Sequence, residues 1–476
     1  MQCLQCSFPS SLNCYFSFCV MEKICVLILT FLCFALLSHG ATFTSLRSDD
    51  GSEEWGYVEV RPKAHMFWWL YKSPNRVEDP SQPWPIILWL QGGPGASGIG
   101  YGNFDEVGPL DTTLKPRNST WLQKAHLLFV ENPVGVGFSY VENTDLLVKT
   151  DEEAASDLTT LLIEIFNHNE NLQKSPLYIV GESYGGKFAV TLALSAIKAI
   201  EAGKLQLKLG GVVLADSWIS AEDFVFSWGP FLKDLSRLDD NGLQRSNSFA
   251  QKIKKELDDG LFVNATYSWG DLEFEILNST NGVDFYNVLM DNFEEVDLIS
   301  LLSKGITWRH YSNYFSSLRS SQNDFKSLLN DVIREKLKII PENVTWHGDS
   351  DAVFENLIGD FMKPRINEVD ELLAKGVNVT VYNGQLDVIC ATKGVEAWLG
   401  KLKWEGLPHF LKKERTPLYC GNDKKTRGYL KSYKNLDFYW ILGAGHMVPK
   451  DEPCVALNMV GQITHSPTAS LLLQDQ

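Results

Sequence analysis

The sequence predicts an α/β protein with a mostly parallel central sheet and helices on both faces. Two patterns indicate this fold class: short apolar runs bounded by Gly or Pro, and helical segments that alternate with them. Such alternation is typical of βαβ units. Length and composition agree, because 476 residues with 44% hydrophobic and 12% aromatic content can bury a large core and exclude a disordered chain.

The predicted elements follow one another along the whole chain. Strands are expected at Ile86–Leu90, His126–Val130, Leu177–Val180, Gly211–Leu214, Val377–Tyr382 and Phe438–Leu442. Helices are expected at 151–168, 184–202, 353–375 and 454–463, the first opened by a capping box of Thr150 and Glu153. Each strand is followed within three residues by Gly, Pro or Asp, so each leads directly into a loop.

The alternation changes between residues 220 and 340. Trp218–Phe231 is rich in aromatic residues, and the segments 232–260 and 289–338 are charged, favour helix and contain no clear buried strand. We expect a helical lid inserted into one sheet domain, with a separate second domain as the alternative. The predicted division is core at 41–219, lid at 220–340 and core at 341–476.

Residues 1–40 are expected to be a leader that the mature protein lacks. The apolar run Ile24–Leu37 follows Lys23 and precedes small residues, which predicts a signal peptide cut after Gly40. The run is short for a membrane span, which needs about 20 residues. An uncleaved signal anchor is the alternative, and either Met1 or Met21 can be the start. We expect no membrane association after the leader is removed.

Cysteines and glycosylation sequons agree with export. Six of the nine cysteines lie in the leader, and the mature chain keeps Cys390, Cys420 and Cys454, which permits at most one intrachain disulfide. Five N-x-S/T sequons predict glycosylation at Asn118, Asn264, Asn278, Asn343 and Asn378. Asn378 is the least certain of these, because it lies in a strand-like run. A secreted or lysosomal protein is expected.

Charge and missing motifs exclude several partners. The chain has 43 Lys and Arg against 59 Asp and Glu, a net charge of −16, which disfavours nucleic acid and anionic membranes. It contains no His-Glu-x-x-His motif and no phosphate-binding loop. We therefore expect neither a metal nor another cofactor.

A candidate nucleophile lies between a predicted strand and a predicted helix. Gly181-Glu-Ser183-Tyr-Gly185 has the Gly-x-Ser-x-Gly spacing, and in this context it is typical of a nucleophile elbow. A glycine-rich turn without chemistry is the alternative. A serine hydroxyl needs a base to take its proton and an acid to orient that base.

The base and the acid are expected beyond later strands, in the order Ser, Asp, His. His446 follows a predicted strand and a Gly-x-Gly turn, and is preferred over the other downstream histidines, at 310, 347, 409 and 465. Two aspartates end strands. Asp387 is the predicted acid because its strand is the last before that of His446, whereas Asp216 is expected to cap a helix or contact the lid hinge.

A glycine-rich loop upstream is the candidate oxyanion site. Gln91-Gly-Gly-Pro-Gly95 ends a predicted strand, so its backbone N–H groups can face a developing oxyanion together with the N–H of Tyr184. Losing one such donor typically costs about 100- to 1,000-fold in rate. The alternative is a loop that needs glycine only for its geometry.

Five ordered motifs resemble those of the serine carboxypeptidases, an α/β-hydrolase family. The motifs are Trp89-Leu-Gln-Gly-Gly-Pro-Gly, Glu131-Asn-Pro-Val-Gly-Val-Gly-Phe-Ser-Tyr, Gly181-Glu-Ser-Tyr-Gly-Gly, Asn383-Gly-Gln-Leu-Asp and Gly443-Ala-Gly-His-Met-Val-Pro. The resemblance runs from about Trp55 to Gly461. His347-Gly-Asp-Ser-Asp and Met447-Val-Pro-Lys-Asp look most like the retinoid-inducible branch of the family.

The resemblance implies removal of C-terminal amino acids from peptides through an acyl-enzyme. It implies a triad of Ser183, Asp387 and His446, with Gly93 and Tyr184 as oxyanion donors. It also implies that the terminal carboxylate of the substrate is held by Gln91, Gly92, Glu106 and Glu182. A carboxyl group can bind a carboxylate only when it is protonated, and two crowded carboxyls share a proton, so we expect an acidic optimum.

Two departures from the family pattern affect these expectations. Many members have Cys-Ser-Ser after Gly-Gly-Pro-Gly, but this chain has Ala96-Ser97-Gly98, so the disulfide that anchors the loop cannot form and loop rigidity is not assumed. Gln91 stands where the family usually has Asn. A serine esterase or acyltransferase and a non-catalytic lumenal scaffold stay open as alternatives, as does a homodimer.

Overall fold

The computed structural model describes residues 43–76, 83–291, 322–421 and 423–467. The predicted leader, His310 and part of the predicted lid lie outside these residues. Within the described ranges, no helix is both long enough and apolar enough to cross a membrane.

Within the described ranges, twelve strands form one sheet. Their bounds are β1 Phe43–Arg47, β2 Glu53–Arg61, β3 Ala64–Tyr71, β4 Ile86–Leu90, β5 His126–Val130, β6 Tyr140–Val141, β7 Pro176–Glu182, β8 Lys208–Ala215, β9 Val379–Gly384, β10 Thr416–Cys420, β11 Asp423–Tyr433 and β12 Leu436–Ile441. The strand order is β1-β2-β3-β5-β4-β7-β8-β9-β12-β11-β10, with β6 paired to β3.

The centre of the sheet is parallel, as the sequence predicts. Strands β5, β4, β7, β8, β9 and β12 pair in parallel, whereas β1, β2 and β3 on one side and β10 and β11 on the other are antiparallel. Every residue of β4 and β5 is buried, because helices cover both faces of a parallel sheet. All six predicted strands are confirmed and differ from the observed bounds by two residues or fewer at most ends.

Fourteen α-helices lie within the described ranges. They are α1 Asp151–Asn167, α2 Glu170–Lys174, α3 Gly185–Glu201, α4 Ala221–Asp234, α5 Asp240–Asp258, α6 Phe262–Thr280, α7 Gln322–Ser327, α8 Arg334–Leu337, α9 Asp351–Leu357, α10 Ile366–Ala374, α11 Thr392–Leu399, α12 Leu407–Lys412, α13 Val448–Asp451 and α14 Pro453–Ile463. The described part of the chain also contains two π-helical segments, Gly98–Val107 and Leu328–Ile333, and two short 3₁₀ segments, Trp121–Gln123 and Thr144–Leu146.

The helix predictions are confirmed with one exception. Thr150 caps α1 by accepting from the Glu153 N–H at 3.2 Å, as the capping box predicts, but the Glu153 side chain accepts from the Lys149 N–H. The single helix expected at 353–375 is wrong, because the chain forms α9 and α10 with Pro364 between them. Proline lacks an N–H and disfavours helix at the preceding residue.

Candidate active site

Ser183 lies on a sharp turn between β7 and α3. Its φ is +58°, a left-handed value that is uncommon outside glycine, and its N–H donates to the Ala215 carbonyl at 2.9 Å. A Cβ on Gly92 would lie 2.6 Å from the Ser183 Cβ and 2.8 Å from the Tyr184 nitrogen. Only glycine allows the loop after β4 to approach the serine so closely, and this is the geometry of a nucleophile elbow.

Asp387 and His446 are in direct contact. The Nδ1 atom of His446 and the Oδ2 atom of Asp387 share a hydrogen bond of 2.8 Å, and both side chains are buried. The second carboxylate oxygen accepts from the Cys390 N–H at 3.0 Å. An imidazole held at Nδ1 by a carboxylate presents Nε2 for proton transfer, as a serine hydrolase requires.

These residues follow the carboxyl ends of neighbouring parallel strands. Ser183 follows β7, Asp387 follows β9 and His446 follows β12, and the sheet order β7-β8-β9-β12 brings their loops to one edge, where open α/β sheets bind ligands. Ser183 and His446 share no hydrogen bond within the described chain. Catalytic hydrogen bonds are often long without substrate and tighten when it binds.

The other histidines that follow Ser183 in the described chain are poor candidates for a base. His347, His409 and His465 are exposed, and none accompanies a carboxylate at this edge of the sheet. His446, by contrast, is 2% exposed, and its backbone N–H donates to the Tyr286 carbonyl at 2.7 Å.

A buried glutamine links two buried glutamates beside the serine. The Nε2 atom of Gln91 donates to Glu182 at 2.6 Å and to Glu106 at 3.3 Å. Its Oε1 atom accepts from the Trp89 indole at 2.7 Å, which fixes the orientation of the amide. The three side chains are at most 2% exposed, so the longer glutamine still reaches both carboxyl groups.

A cavity of roughly 910 Å³, including its open mouth, lies in front of Ser183. One part of its lining is polar and contains Gln91, Gly92, Gly93, Glu182, Ser183 and Tyr184. Another part is aromatic and contains Trp218, Trp269, Tyr286, Phe354 and Phe361. The cavity can therefore take an extended molecule with both polar and apolar groups next to the serine hydroxyl.

The glycine-rich loop is anchored without a disulfide. The Ser97 N–H donates to the Gly348 carbonyl at 2.8 Å, and the Ser350 N–H donates to the Gly95 carbonyl at 2.9 Å. The Ser97 hydroxyl donates to the buried Glu131 carboxyl at 2.7 Å, and the Trp346 indole contacts the same pair. Burial raises the pKa of Glu131 to about 7. These contacts connect the loop to segment 346–350.

The residue after the nucleophile is held by a buried charge network. The Tyr184 hydroxyl donates to Asp151 at 2.7 Å. Asp151 also pairs with Arg365 at 2.9 Å and Lys187 at 3.5 Å, and Arg365 bonds Asp360 at 3.0 Å. Burial raises the pKa of the Asp151 carboxyl and lowers that of the Lys187 ammonium. The sequence gives no signal for this network, because its members are far apart in the chain.

Asp216 differs from the helix cap that the sequence predicts. In the described chain its side chain caps no helix; it is fully buried and accepts from the Gly384 N–H at 2.7 Å, beside the carboxyl of Asp387. Next to Asp216, three side chains could in principle bind a metal ion. One potential metal-binding atom from each of Asp387, Cys390 and His446 lies within 4.8 Å of the other two. Burial raises the pKa of the Cys390 thiol, and a protonated thiol is a weak metal ligand.

Comparison with known proteins places the chain among peptidases. The serine carboxypeptidase family model matches residues 45–466. Serine carboxypeptidase-like 51 of Arabidopsis thaliana is 63% identical over 88% of this chain and 94% of its own length. Retinoid-inducible serine carboxypeptidase of Mus musculus is 46% identical over 93% of this chain and 98% of its own length.

A solved structure supports the fold. A prohormone-processing carboxypeptidase of Saccharomyces cerevisiae superposes with a TM-score of 0.72 at 20% identity, over 87% of this chain and 91% of that one. The α/β-hydrolase fold expected from the sequence is thereby confirmed. With the family model covering residues 45–466, the chain belongs to the serine carboxypeptidase family.

Proposed function

We propose that this serine carboxypeptidase releases C-terminal amino acids from peptides through an acyl-enzyme formed on Ser183. His446 is the general base, and Asp387 orients it. The observation that carries this assignment is the 2.8 Å hydrogen bond between Asp387 and His446 at the sheet edge where Ser183 lies on its elbow. A buried, oriented imidazole at that edge supplies the base that a serine nucleophile needs.

The reaction follows from these positions. Ser183 Oγ attacks the last peptide carbonyl while His446 Nε2 takes its proton, and the N–H groups of Gly93 and Tyr184 stabilise the oxyanion. The C–N bond then breaks, and His446 gives the proton to the leaving amine. Water next attacks the acyl-enzyme, His446 takes its proton and returns it to Ser183, and the shortened peptide leaves.

The carboxyl-terminal specificity is assigned to Gln91, Gly92, Glu106 and Glu182. The hydrogen bonds of Gln91 to both glutamates keep their carboxyl groups in one buried cluster next to Ser183. A proton on either glutamate lets it donate to the terminal carboxylate of a peptide, while the Gln91 amide orients the cluster. An ester without a terminal carboxylate uses none of these groups, so the cluster favours the peptidase over the esterase alternative.

The carboxylate site predicts how KM depends on pH. Between about pH 4 and 8, the KM of wild type for a blocked dipeptide is expected to rise, because deprotonated glutamates repel the substrate carboxylate. Glu182→Gln is expected to flatten this rise, because an amide donates at every pH. Glu142→Gln, on the exposed surface, is the matched control and keeps the wild-type profile. A flat wild-type profile removes Glu182 and Glu106 from this role.

Active-site labelling tests the nucleophile. A fluorophosphonate probe is expected to label wild type and Ser350→Ala, whose serine also lines the cavity, and not Ser183→Ala. Labelling of Ser183→Ala would refute the assignment, and a folded wild type that stays unlabelled would favour the scaffold alternative. Preference for simple esters over blocked dipeptides would favour the esterase.

We also propose that the mature protein begins after residue 40, passes through the secretory pathway and is glycosylated. The leader pattern supports this, and all five sequon asparagines are exposed, including Asn378, which lies just before β9. Whether the fate is secretion or the lysosome, and whether a homodimer forms, is decided by fractionation and by light scattering of the purified protein.

We propose that residues 220–340 form a lid over the cavity between core segments 41–219 and 341–476. Its described part consists of α4, α5, α6 and the chain that follows them, and it contributes Trp269 and Tyr286 to the cavity lining. Trp269→Ala is expected to raise the KM of a blocked dipeptide more than that of a small ester. Equal effects on both would contradict a substrate-covering role.

A further inference from the structure

A second buried carboxyl lies beside the Asp387–His446 pair. Asp216 follows the carboxyl end of β8, the strand between those that precede Ser183 and Asp387. It has a φ of +42°, which a non-glycine residue rarely adopts. Its N–H donates to the Tyr382 carbonyl of β9 at 3.0 Å. The backbone therefore holds this side chain at one position despite a conformational cost.

The two oxygens of Asp216 have different surroundings. Oδ1 accepts from the Gly384 N–H at 2.7 Å. Oδ2 is buried, and no N–H group or hydroxyl in the described part of the chain donates to it. The Asp387 carboxyl lies within hydrogen-bonding reach of the Asp216 carboxyl. A hydrogen bond between two carboxyl groups requires a proton on one of them.

The surroundings indicate which group carries this proton. Asp387 accepts from His446 Nδ1 at 2.8 Å and from the Cys390 N–H at 3.0 Å, so each of its oxygens already has a donor. Asp216 accepts from one donor only. Burial, and next the charge of Asp387, raise the pKa of Asp216 well above its usual range.

The other titratable groups around this pair do not favour a second negative charge. Apart from His446, they carry no positive charge: Glu106, Glu182, Tyr382 and Cys390. Asp216 is thus the member of the pair that holds the proton.

We propose that Asp216 is a positioning residue: as a neutral acid it donates from Oδ2 to the Asp387 carboxylate and so fixes the orientation in which Asp387 holds His446. This inference rests on the roles proposed above for Asp387 and His446. The Asp387 carboxylate then accepts from Asp216, Cys390 and His446, and cannot rotate without losing a donor. If Asp216 were ionised, two carboxylates would repel each other in a buried site, and Asp387 would leave this orientation.

Two substitutions test the proposal. Asp216→Asn keeps an acceptor for Gly384 and supplies an N–H donor to Asp387, and asparagine tolerates a positive φ. Its kcat for a blocked dipeptide at about pH 5 is expected to stay within a few-fold of wild type. Asp216→Leu keeps the number and branching of the side-chain heavy atoms but has no donor, and its kcat is expected to fall about 10- to 100-fold, the loss typical of a hydrogen bond to a charged group.

A pH profile separates positioning from packing. In wild type, kcat and the rate of fluorophosphonate labelling are expected to fall as pH rises far enough to ionise Asp216, and Asp216→Asn is expected to lose this decline because an amide does not titrate. A decline that persists unchanged in Asp216→Asn overturns the proposal, even if Asp216→Leu does not fold. A folded Asp216→Leu with wild-type kcat overturns it as well.

Labelling of Ser183 separates a failure of the proposed function from a failure of the proposed role of Asp216. If the probe does not label Ser183 in wild type, the proposed function fails. If Ser183 is labelled but both Asp216 variants match wild type in kcat and pH profile, the function stands and only the role of Asp216 is lost.

Discussion

At the scale of single residues, the unusual groups are buried carboxyls that the fold keeps near the serine. Glu131 is one of them: it is fully buried and accepts from the Ser97 hydroxyl and the Trp346 indole. Burial raises its pKa from the ordinary 4.5 to about 7. Because Glu131 anchors the glycine-rich loop, its ionisation connects the stability of the active-site region to pH.

Glu131 is expected to make the fold less stable as pH rises. The folded state has the higher pKa and holds the proton between pH 4.5 and about 7, where the unfolded state has lost it. The contribution of the neutral Glu131 carboxyl to the free energy of unfolding is therefore fully present below about pH 4.5 and is lost as pH rises to about 7. The difference corresponds to about 3 kcal/mol of unfolding free energy.

Chemical denaturation of two variants across this range checks the prediction. Across this range, the free energy of unfolding of Glu131→Gln is expected to change by about 3 kcal/mol less than that of wild type. The reason is that an amide does not titrate and can still accept from Ser97. Glu142→Gln, on the exposed surface, serves as the control. If wild type and Glu131→Gln show the same pH dependence, Glu131 does not titrate in this range.

The residues proposed to react can be predicted from the sequence, but the residues that support them cannot. Ser183, Asp387 and His446 each follow an apolar strand with a characteristic turn, so local pattern identifies them. Glu131 and Asp216 also follow strands, but their roles depend on partners 34 and 171 positions away in the chain. No local signal reports such contacts, and for this reason the sequence predicts a different role for Asp216.

At the scale of elements, a short segment within residues 220–340 contacts the loops of both the proposed acid and the proposed base. Residues 283–291 are closed by a bridge between Val283 and Asp291. The Phe285 carbonyl accepts from the backbone N–H of Val388, next to Asp387, at 3.0 Å. The Tyr286 carbonyl accepts from the backbone N–H of His446 at 2.7 Å. The segment therefore connects the loop after β9 to the loop after β12.

Arg237 holds this segment and provides a test of its role. It donates to the Val288 carbonyl at 3.0 Å and to Asp291 at 2.6 Å. Arg237→Met is expected to lower kcat about tenfold, less than the roughly 100-fold that a 1 Å misplacement of catalytic groups can cost. Its free energy of unfolding is expected to fall by about 1–3 kcal/mol.

Arg245 provides the matched control within the same region. It pairs with Glu275 between α5 and α6 and is half exposed, so Arg245→Met is expected to lose at most about 1 kcal/mol of stability and no activity. Steady-state kinetics and denaturation of both variants decide the question. Equal kcat values for the two would mean that the segment does not position the loops.

Strand prediction succeeds at the centre of the sheet and fails at its sides. The central strands are short apolar runs ended by glycine, proline or aspartate, and a parallel sheet requires such sequences. Strand β3 reads Ala-His-Met-Phe-Trp-Trp-Leu-Tyr and is almost wholly buried, so it lacks the alternation that marks an antiparallel strand. The mostly exposed β10 has no apolar run at all.

At the scale of the whole molecule, one disulfide ties the outer edge of the sheet to the last helix. Cys420 at the end of β10 bonds to Cys454 at the start of α14, and Cys390 stays as a buried thiol. This agrees with the expected limit of one disulfide in the mature chain. The bond encloses β11, β12 and the loop of His446, so it restrains the part of the chain that carries the proposed base.

Removing this disulfide is expected to lower stability rather than chemistry. The two cysteines are 34 positions apart, and a loop of that length contributes about 4 kcal/mol through the entropy of the unfolded chain. Cys454→Ser is therefore expected to lose about 4 kcal/mol of unfolding free energy while its kcat stays near wild type at temperatures where it is folded. Reductant is expected to lower the free energy of unfolding of wild type to that of Cys454→Ser and to leave the variant unchanged.

A variant as stable as wild type would show that the hairpin β10–β11 is held by packing alone. A variant that is folded but inactive would instead place the disulfide among the features that position His446.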